Sequence, residues 1–400
     1  MNEDINQMIA SIHPERLNTY WPGFHPGPYA IYNDRNVYIM NHPHYKHRGN
    51  LFRRIKRTDD FKADTLILFD GQPTAIVSID RYQDVDQLYA ILIHELFHGF
   101  QYVQGEKRFP DELLGATYPI SLENIQLRNE ERMHLFHALM ERSRKQKLRH
   151  IRDFISKRER RKQLMNNHLH YENLIETIEG PARYVEAKAY GDRCGLPLKK
   201  VAEEFGADLL DGIESSINIR KSCYSSGLFL CLLLDQLEIN WHKDFMDADL
   251  SLYDFFKQKT NNHPISIIHI SVNKETKQIA SNIRNKKTEE FRSFYNQSGF
   301  QLTIRASMKI SKLDPMNIVS LDQRLLHKNF VKIKIKETTV LFQKPVVTHF
   351  QENPWSCNEV QIMLEEKPKI QNGFLHLYSH RIKGTLEEKD GMLIFHPDAP

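Results

Sequence analysis

Residues 84–98 read DVDQLYAILIHELFH. Their apolar residues recur three or four positions apart, which is typical of one buried face of an α-helix. Asp84, with Gln87 three residues later, matches the pattern of an N-terminal capping box. On the predicted helix His94 and His98 lie one turn apart on the same face, with Glu95 beside them.

An HExxH sequence is the ligand spacing of a zinc site. Two imidazoles one helical turn apart can bind a single ion, and zinc accepts nitrogen and carboxylate oxygen ligands. A glutamate between them can act as the general base of a hydrolase. The structural alternative makes His94 and His98 ordinary core residues. Because the rest of this helix is strongly apolar, two buried histidines and Glu95 would then need other partners.

A third ligand is expected further along the chain. The segment IEGPARYVE (178–186) has helical character, and Glu179 follows His98 by 81 residues. HELFHGFQ followed by EGPARYVE resembles the gluzincin metallopeptidases, and within them the aminopeptidase N branch. The resemblance implies that Glu179 completes the zinc site, with Glu176 and Glu186 as alternatives one or two turns away.

A second resemblance to that branch lies at CYSSGLFL (223–230). It implies that the Tyr224 hydroxyl stabilises an oxyanion, although a tyrosine at the start of a buried helix is the simpler alternative. The Gly-x-Met-Glu-Asn signature of the aminopeptidases is absent. Arg183 stands where thermolysin-like enzymes have an aspartate, so the partners of the two histidines stay unassigned at this point.

The overall pattern predicts an α+β fold with a small N-terminal β-sheet, a central, mainly helical, thermolysin-like zinc domain and a C-terminal β-rich region. We expect a β subdomain over 1–83, a helical catalytic domain over 84–262 with a helical insertion at 121–165, and a β-rich domain over 299–400. A helix over 171–190 is expected to be interrupted at Gly180-Pro181, and Gly71–Asp80 to form the edge strand on which a peptide docks. The predicted strands are Asn36–Met40, Thr65–Phe69, Thr74–Ile79, Val331–Lys336, Val340–Phe342, Glu359–Leu364, Phe374–Tyr378 and Met392–Phe395.

Composition restricts the partners. Net charge is only +4, and the four cysteines are scattered, so neither a polyanionic partner nor a disulfide framework is expected. The basic stretch 142–162 lacks interleaved aromatic residues, and a solvated helix face is preferred to a nucleic-acid site. The cluster His42, His44 and His47 is interpreted as a solvated loop. With no secretory signal and no membrane-spanning stretch, a cytoplasmic protein is predicted.

The predicted function is therefore a zinc metallopeptidase that acts on a peptide or protein substrate. Zn²⁺ is held by His94, His98 and Glu179, Glu95 is the general base, and Tyr224 is the oxyanion donor. Two alternatives stay open: a non-catalytic scaffold used for protein binding, and a zinc hydrolase of a non-peptide substrate. Retention of Glu95 favours a catalyst, because a purely structural zinc needs no base.

Overall fold

A computed structural model describes residues 3–45, 51–237, 240–389 and 392–398. The fold is α+β: a small sheet comes first, a helical region follows, and the C-terminal part is rich in strands. The chain forms two compact units, the first comprising Met1–Pro110 and Gln126–Ile270, the second Asp111–Ile125 and Ser271–Pro400. Among the described residues, no helix combines the length and apolar composition that crossing a bilayer requires.

The helices lie mostly in the first unit. Their hydrophobic faces pack around one large core to which α3, α7 and α10 all contribute. In chain order the helices are α1 (Glu3–Ala10), α2 (Pro14–Tyr20), α3 (Val85–Val103), α4 (Glu112–Ala116), α5 (Leu122–Met140), α6 (Arg144–Met165), α7 (Asn167–Cys194), α8 (Leu198–Leu210), α9 (Gly212–Ile217), α10 (Ile219–Leu237), α11 (Trp241–Asp247), α12 (Leu252–Thr260) and α13 (Lys274–Tyr295).

Five strands form the N-terminal sheet in the order β3-β2-β1-β5-β4. They are β1 (Tyr29–Tyr32), β2 (Asn36–Met40), β3 (Arg53–Lys56), β4 (Thr65–Phe69) and β5 (Gln72–Ser78). β4 returns into β5 through Asp70 and Gly71, whose φ angles of 43° and 77° suit a tight hairpin turn. The prediction that Gly71–Asp80 is an edge strand is wrong, because β5 pairs with β1 on one side and with β4 on the other. β4 is the edge strand on that side of the sheet, and β3 is the edge strand on the other.

α7 is continuous, so the predicted interruption at Gly180-Pro181 is wrong. A proline inside a helix removes one backbone hydrogen bond and costs about 3 kcal/mol or more. Here the residues around Pro181 are buried, and α7 packs against both α3 and α10. Burial of apolar surface on both sides of the helix offsets the local cost of the proline.

The basic stretch 142–162 is not a uniformly solvated face. Arg158 and Arg161 are fully buried, and they are neutralised by buried carboxylates of α5 and α7. Arg158 binds Glu176 with Nη1–Oε2 and Nη2–Oε1 distances of 2.7 and 3.0 Å. Glu131 of α5 accepts hydrogen bonds from both arginines. These ion pairs join α5, α6 and α7 in the core of the first unit.

The second unit is built on a large sheet whose apolar residues form a core of their own. In β9 buried and exposed residues alternate strictly, as the sequence predicted. The strands are β6 (Phe300–Leu313), β7 (Ile318–Leu321), β8 (Arg324–His327), β9 (Val331–Ile335), β10 (Thr338–Phe342), β11 (Val346–His349), β12 (Ser356–Leu364), β13 (Ile370–Gln371), β14 (Phe374–Leu377), β15 (His380–Lys389) and β16 (Met392–Pro397).

Candidate metal centre

Helix α3 carries the HExxH residues. It begins at Val85, where the side chain of Asp84 accepts a hydrogen bond from the backbone N–H of Asp86 at 2.9 Å. The helix then continues without a break to Val103. His94 and His98 therefore lie on the same side one turn apart, and their ring centroids are 4.8 Å apart. His94 is buried, while His98 and Glu95 are partly exposed.

Glu179 of α7 meets the two histidines. Nε2 of His94 lies 3.1 Å from Nε2 of His98, and Oε2 of Glu179 lies 3.3 Å from the first nitrogen and 3.2 Å from the second. Ligand atoms about 2.0–2.2 Å from a tetrahedral ion lie about 3.3–3.6 Å apart. The observed triangle is thus close to the spacing of three metal ligands, and these residues could hold a metal ion.

The alternative ligands lie elsewhere. Glu176, three residues before Glu179, binds Arg158 and accepts a hydrogen bond from Ser226 at 2.5 Å. Glu186, two turns after Glu179, contacts Nδ1 of His94 at 2.9 Å, on the side of the ring away from the triangle. Of the three glutamates proposed from the sequence, Glu179 is the one that joins His94 and His98.

Hydrogen bonds orient both imidazoles. Glu186 accepts from Nδ1 of His94, and the amide oxygen of Gln101 lies 2.8 Å from Nδ1 of His98. Gln101 is itself oriented, because its Nε2 donates to the carbonyl oxygen of Ile178 at 2.9 Å. With Nδ1 as the donor in each ring, both Nε2 atoms direct lone pairs toward Glu179. These are the partners that the sequence left unassigned.

The electrostatics of the centre favour positive charge. Burial alone would lower the pKa of His94, but hydrogen bonds to Glu179 and Glu186 raise it to about 10. Glu179 also raises the pKa of His98 against the effect of burial. Burial would raise the pKa of Glu179, yet the two histidines hold it well below its usual range. Two imidazoles with raised pKa values and a carboxylate with a lowered one show that positive charge is favoured between them, and a metal ion bound through both Nε2 atoms can supply it in place of ring protons.

Arg220 of α10 binds the other oxygen of Glu179. Its Nη2 lies 3.1 Å from Oε1 of Glu179, so that Oε2 is left to face the histidines. The guanidinium also lies over the ring of Tyr224, 5.9 Å from the ring centroid. Sequence reasoning missed Arg220, although it stands one helical turn before Tyr224 on the same helix.

Tyr224 and Glu95 both lie at the centre. The ring of Tyr224 is nearly parallel to that of His94, with 5.9 Å between the centroids. Burial, followed by the negative charge of Glu179, raises the pKa of Tyr224, which keeps its hydroxyl protonated as a donor. Burial also raises the pKa of Glu95, and the charges of His94 and His98 oppose this shift. The sequence-predicted site residues are thus all brought together.

The second histidine cluster of the sequence does not join this site. Nε2 of His42 lies 3.0 Å from the carbonyl oxygen of Phe69, so this buried ring has a structural contact in the sheet. His44 is exposed, and its backbone N–H donates to Nδ1 of His42 at 3.3 Å. His47 lies outside the described residues.

Comparisons of the chain with protein family models, with curated proteins and with solved structures found no match.

Proposed function

We propose that this protein is a zinc-dependent peptidase whose metal is held by His94, His98 and Glu179. One observation carries the proposal: Nε2 of each histidine and Oε2 of Glu179 form a triangle with sides of 3.1–3.3 Å, with Glu95 next in sequence to His94. A site with three protein ligands and one position left for water or substrate is typical of catalytic zinc.

The ligand types favour zinc over magnesium and calcium. Two imidazoles and a carboxylate are the ligand set of many zinc hydrolases, whereas magnesium and calcium prefer oxygen ligands alone. The Nδ1 contacts of Glu186 and Gln101 support a role of both histidines as metal ligands, because metal-binding histidines almost always donate their other N–H to an oxygen. The HELFH and EGPAR segments, which carry the same residues, also resemble those of gluzincins.

Each residue of the centre has a separate role in peptide hydrolysis. Zinc held by His94, His98 and Glu179 would act as a Lewis acid and would lower the pKa of a coordinated water toward about 7. Glu95 accepts the proton of the attacking water and delivers it to the leaving amine. Its partly exposed position beside His94 and His98 suits this role.

Tyr224 donates a hydrogen bond to the oxyanion that forms on the carbonyl oxygen of the substrate. Its raised pKa keeps the hydroxyl neutral, and the ring contact with His94 limits its movement. A donor that is already in place loses little free energy to reorganisation as charge develops. Arg220 orients Glu179 through its contact with Oε1 and is a positioning residue.

The edge strand β4 is the surface on which an extended substrate docks. Leu66 of β4 lies against α3 beside His98, since a Cβ placed on Gly99 would lie 3.5 Å from its Cδ1. Leu68 of the same strand is 70% exposed. Main-chain hydrogen bonds along β4 would bind an extended peptide largely independently of the peptide's sequence.

Metal analysis combined with a peptide-cleavage screen tests the proposal. The expected result is about one zinc per chain at this centre, with cleavage that a chelator abolishes and added zinc restores. Protein that holds zinc but cleaves no peptide would favour the scaffold or a non-peptide substrate instead. Absence of bound transition metal after expression in zinc-replete medium would overturn the proposal.

A further inference from the structure

Three histidines lie close together between α5 and α6, in a part of the first unit that the proposed function does not use. His134 and His137 stand one turn apart on α5, and His150 lies on α6. Nδ1 of His134 is 3.2 Å from Nδ1 of His150. The ring centroid of His150 lies 5.5 Å from that of His134 and 5.4 Å from that of His137.

This spacing is close to that of the metal centre on α3. There the histidine ring centroids are 4.8 Å apart and the two facing nitrogens 3.1 Å apart. In the α5–α6 cluster the corresponding distances are 5.5 and 3.2 Å. Two ring nitrogens at this separation can bind one ion after small side-chain rotations.

The surroundings of His134 and His150 favour the neutral imidazole, which is the form that binds a metal. Burial, followed by the charge of Lys157, lowers the pKa of His134, and burial, followed by the neighbouring His137, lowers the pKa of His150. Neutral imidazoles carry the lone pair that a metal needs. When His134 and His150 are both neutral and no metal is bound, one Nδ1 must carry a proton and donate it to the other. When both protons are on Nε2, each Nδ1 has a free lone pair that a metal ion can accept.

Nearby carboxylates favour a cation at this position. Asp153, one turn after His150 on α6, exerts a favourable negative potential at both His134 and His150, and Glu141 does so at His150. Two cations oppose this potential, Lys157 at His134 and Arg149 at His150. The ammonium of Lys157 is paired with Glu130 at 2.6 Å, which reduces its repulsion.

We propose that His134, His137 and His150 form a second site for a divalent transition metal, separate from the His94 centre. His137 is exposed, so a change of its rotamer brings it to the pair without disturbing the core. A set of imidazole ligands selects zinc, copper or nickel rather than magnesium or calcium. The bound ion clamps α5 to α6, because its ligands come from both helices.

Zinc titration of the metal-free protein tests this inference, with the occupancy of each site followed by competition against a chromophoric chelator. The wild-type chain should bind two equivalents, His98→Ala one, His150→Ala one, and the double variant none. His170→Ala is the matched control, because His170 is an exposed helical histidine outside both clusters, and it should bind two. His137→Ala opens no cavity and should weaken the second site by roughly tenfold or more.

A structural readout separates a clamp from fortuitous surface binding. In the His98→Ala background, added zinc should raise the melting temperature, and His150→Ala should abolish that rise. If His98→Ala binds zinc no better than the double variant, the inference is overturned. If His98→Ala keeps one equivalent and His150→Ala binds none, the second site stands and the centre on α3 fails, so the two proposals can be distinguished.

Discussion

Gly180 of α7 and Gly227 of α10 lie backbone to backbone where the two helices cross. A Cβ on Gly180 would lie 2.8 Å from Cα of Gly227, and a Cβ on Gly227 would lie 2.6 Å from Cα of Gly180. Glu179 stands immediately before the first glycine, and Tyr224 one turn before the second. The close approach of the two backbones therefore brings Glu179 and Tyr224 to the same centre.

Gly227→Ala should push α10 away from α7. The added methyl group meets backbone atoms that cannot move aside, and such overpacking costs about 1–3 kcal/mol of the free energy of unfolding. We expect a lower melting temperature together with weaker zinc binding, measured by thermal unfolding and metal titration.

Gly99→Ala on α3 is the control, because its Cβ meets only ordinary contact with Leu66 at 3.5 Å. A helical glycine replaced by alanine should leave stability unchanged or raise it by up to about 1 kcal/mol. Equal melting temperatures and zinc affinities in the two variants would show that the close approach of Gly180 and Gly227 is dispensable.

Glu186→Gln should weaken zinc binding without abolishing it. The carboxylate that accepts from Nδ1 of His94 is lost, and an outer hydrogen-bond partner of this kind is worth about 10–100-fold in metal affinity. Glu179→Ala should lose the zinc of this centre altogether. Glu203→Gln, an exposed change on α8, serves as the control. Titration against a competing chelator measures all three, and identical affinities for Glu186→Gln and Glu203→Gln would contradict the assigned role.

Glu95→Gln should separate a catalyst from a scaffold. It keeps the shape of the side chain but removes the base, so we expect zinc to stay while turnover falls by roughly 10²–10⁴. Steady-state kinetics on the best substrate of the peptide screen, together with zinc content, provide the measurement. An unchanged rate would mean that the activity does not come from this centre.

Tyr224→Phe should lower kcat by on the order of 10²–10³ with little change in KM, because the hydroxyl acts on the oxyanion and not on the ground-state carbonyl. Tyr190→Phe, which also removes one hydroxyl from a partly buried tyrosine, is the control and should keep full activity. If the two variants have the same kcat, Tyr224 is not the oxyanion donor.

Arg158→Met should destabilise the protein strongly, although Arg158 lies in a stretch rich in charged residues. Removing the guanidinium leaves Glu131 and Glu176 buried with less compensation, and breaking a buried ion pair in this way costs about 3–5 kcal/mol. Arg149→Met, an exposed change on the same helix, should stay within about 0.5 kcal/mol of the wild type. Denaturant unfolding measures both, and similar midpoints would contradict the structural role of the arginine.

Local pattern was sufficient for the elements that carry the centre. Apolar spacing and the Asp84 cap predicted α3, and the i, i+4 geometry of a helix alone puts His94 and His98 on one face with Glu95 beside them. The strands Asn36–Met40 and Thr65–Phe69 are confirmed with the bounds that their turn signals predicted. Resemblance to a known motif, rather than periodicity, singled out Glu179 from its neighbours.

The remaining features depend on partners that are distant in the chain. Glu186 is 92 residues from His94, and no local signal shows that the two will meet. From the sequence Arg158 is expected to be exposed. It is buried instead, because the carboxylates of Glu131 and Glu176 neutralise its charge. α13 was missed because it is largely polar and buries only a narrow apolar face. β5 is an inner strand only because β4 folds back and pairs with it. α7 stays helical through Pro181 because the burial of its side chains outweighs the loss of one backbone hydrogen bond.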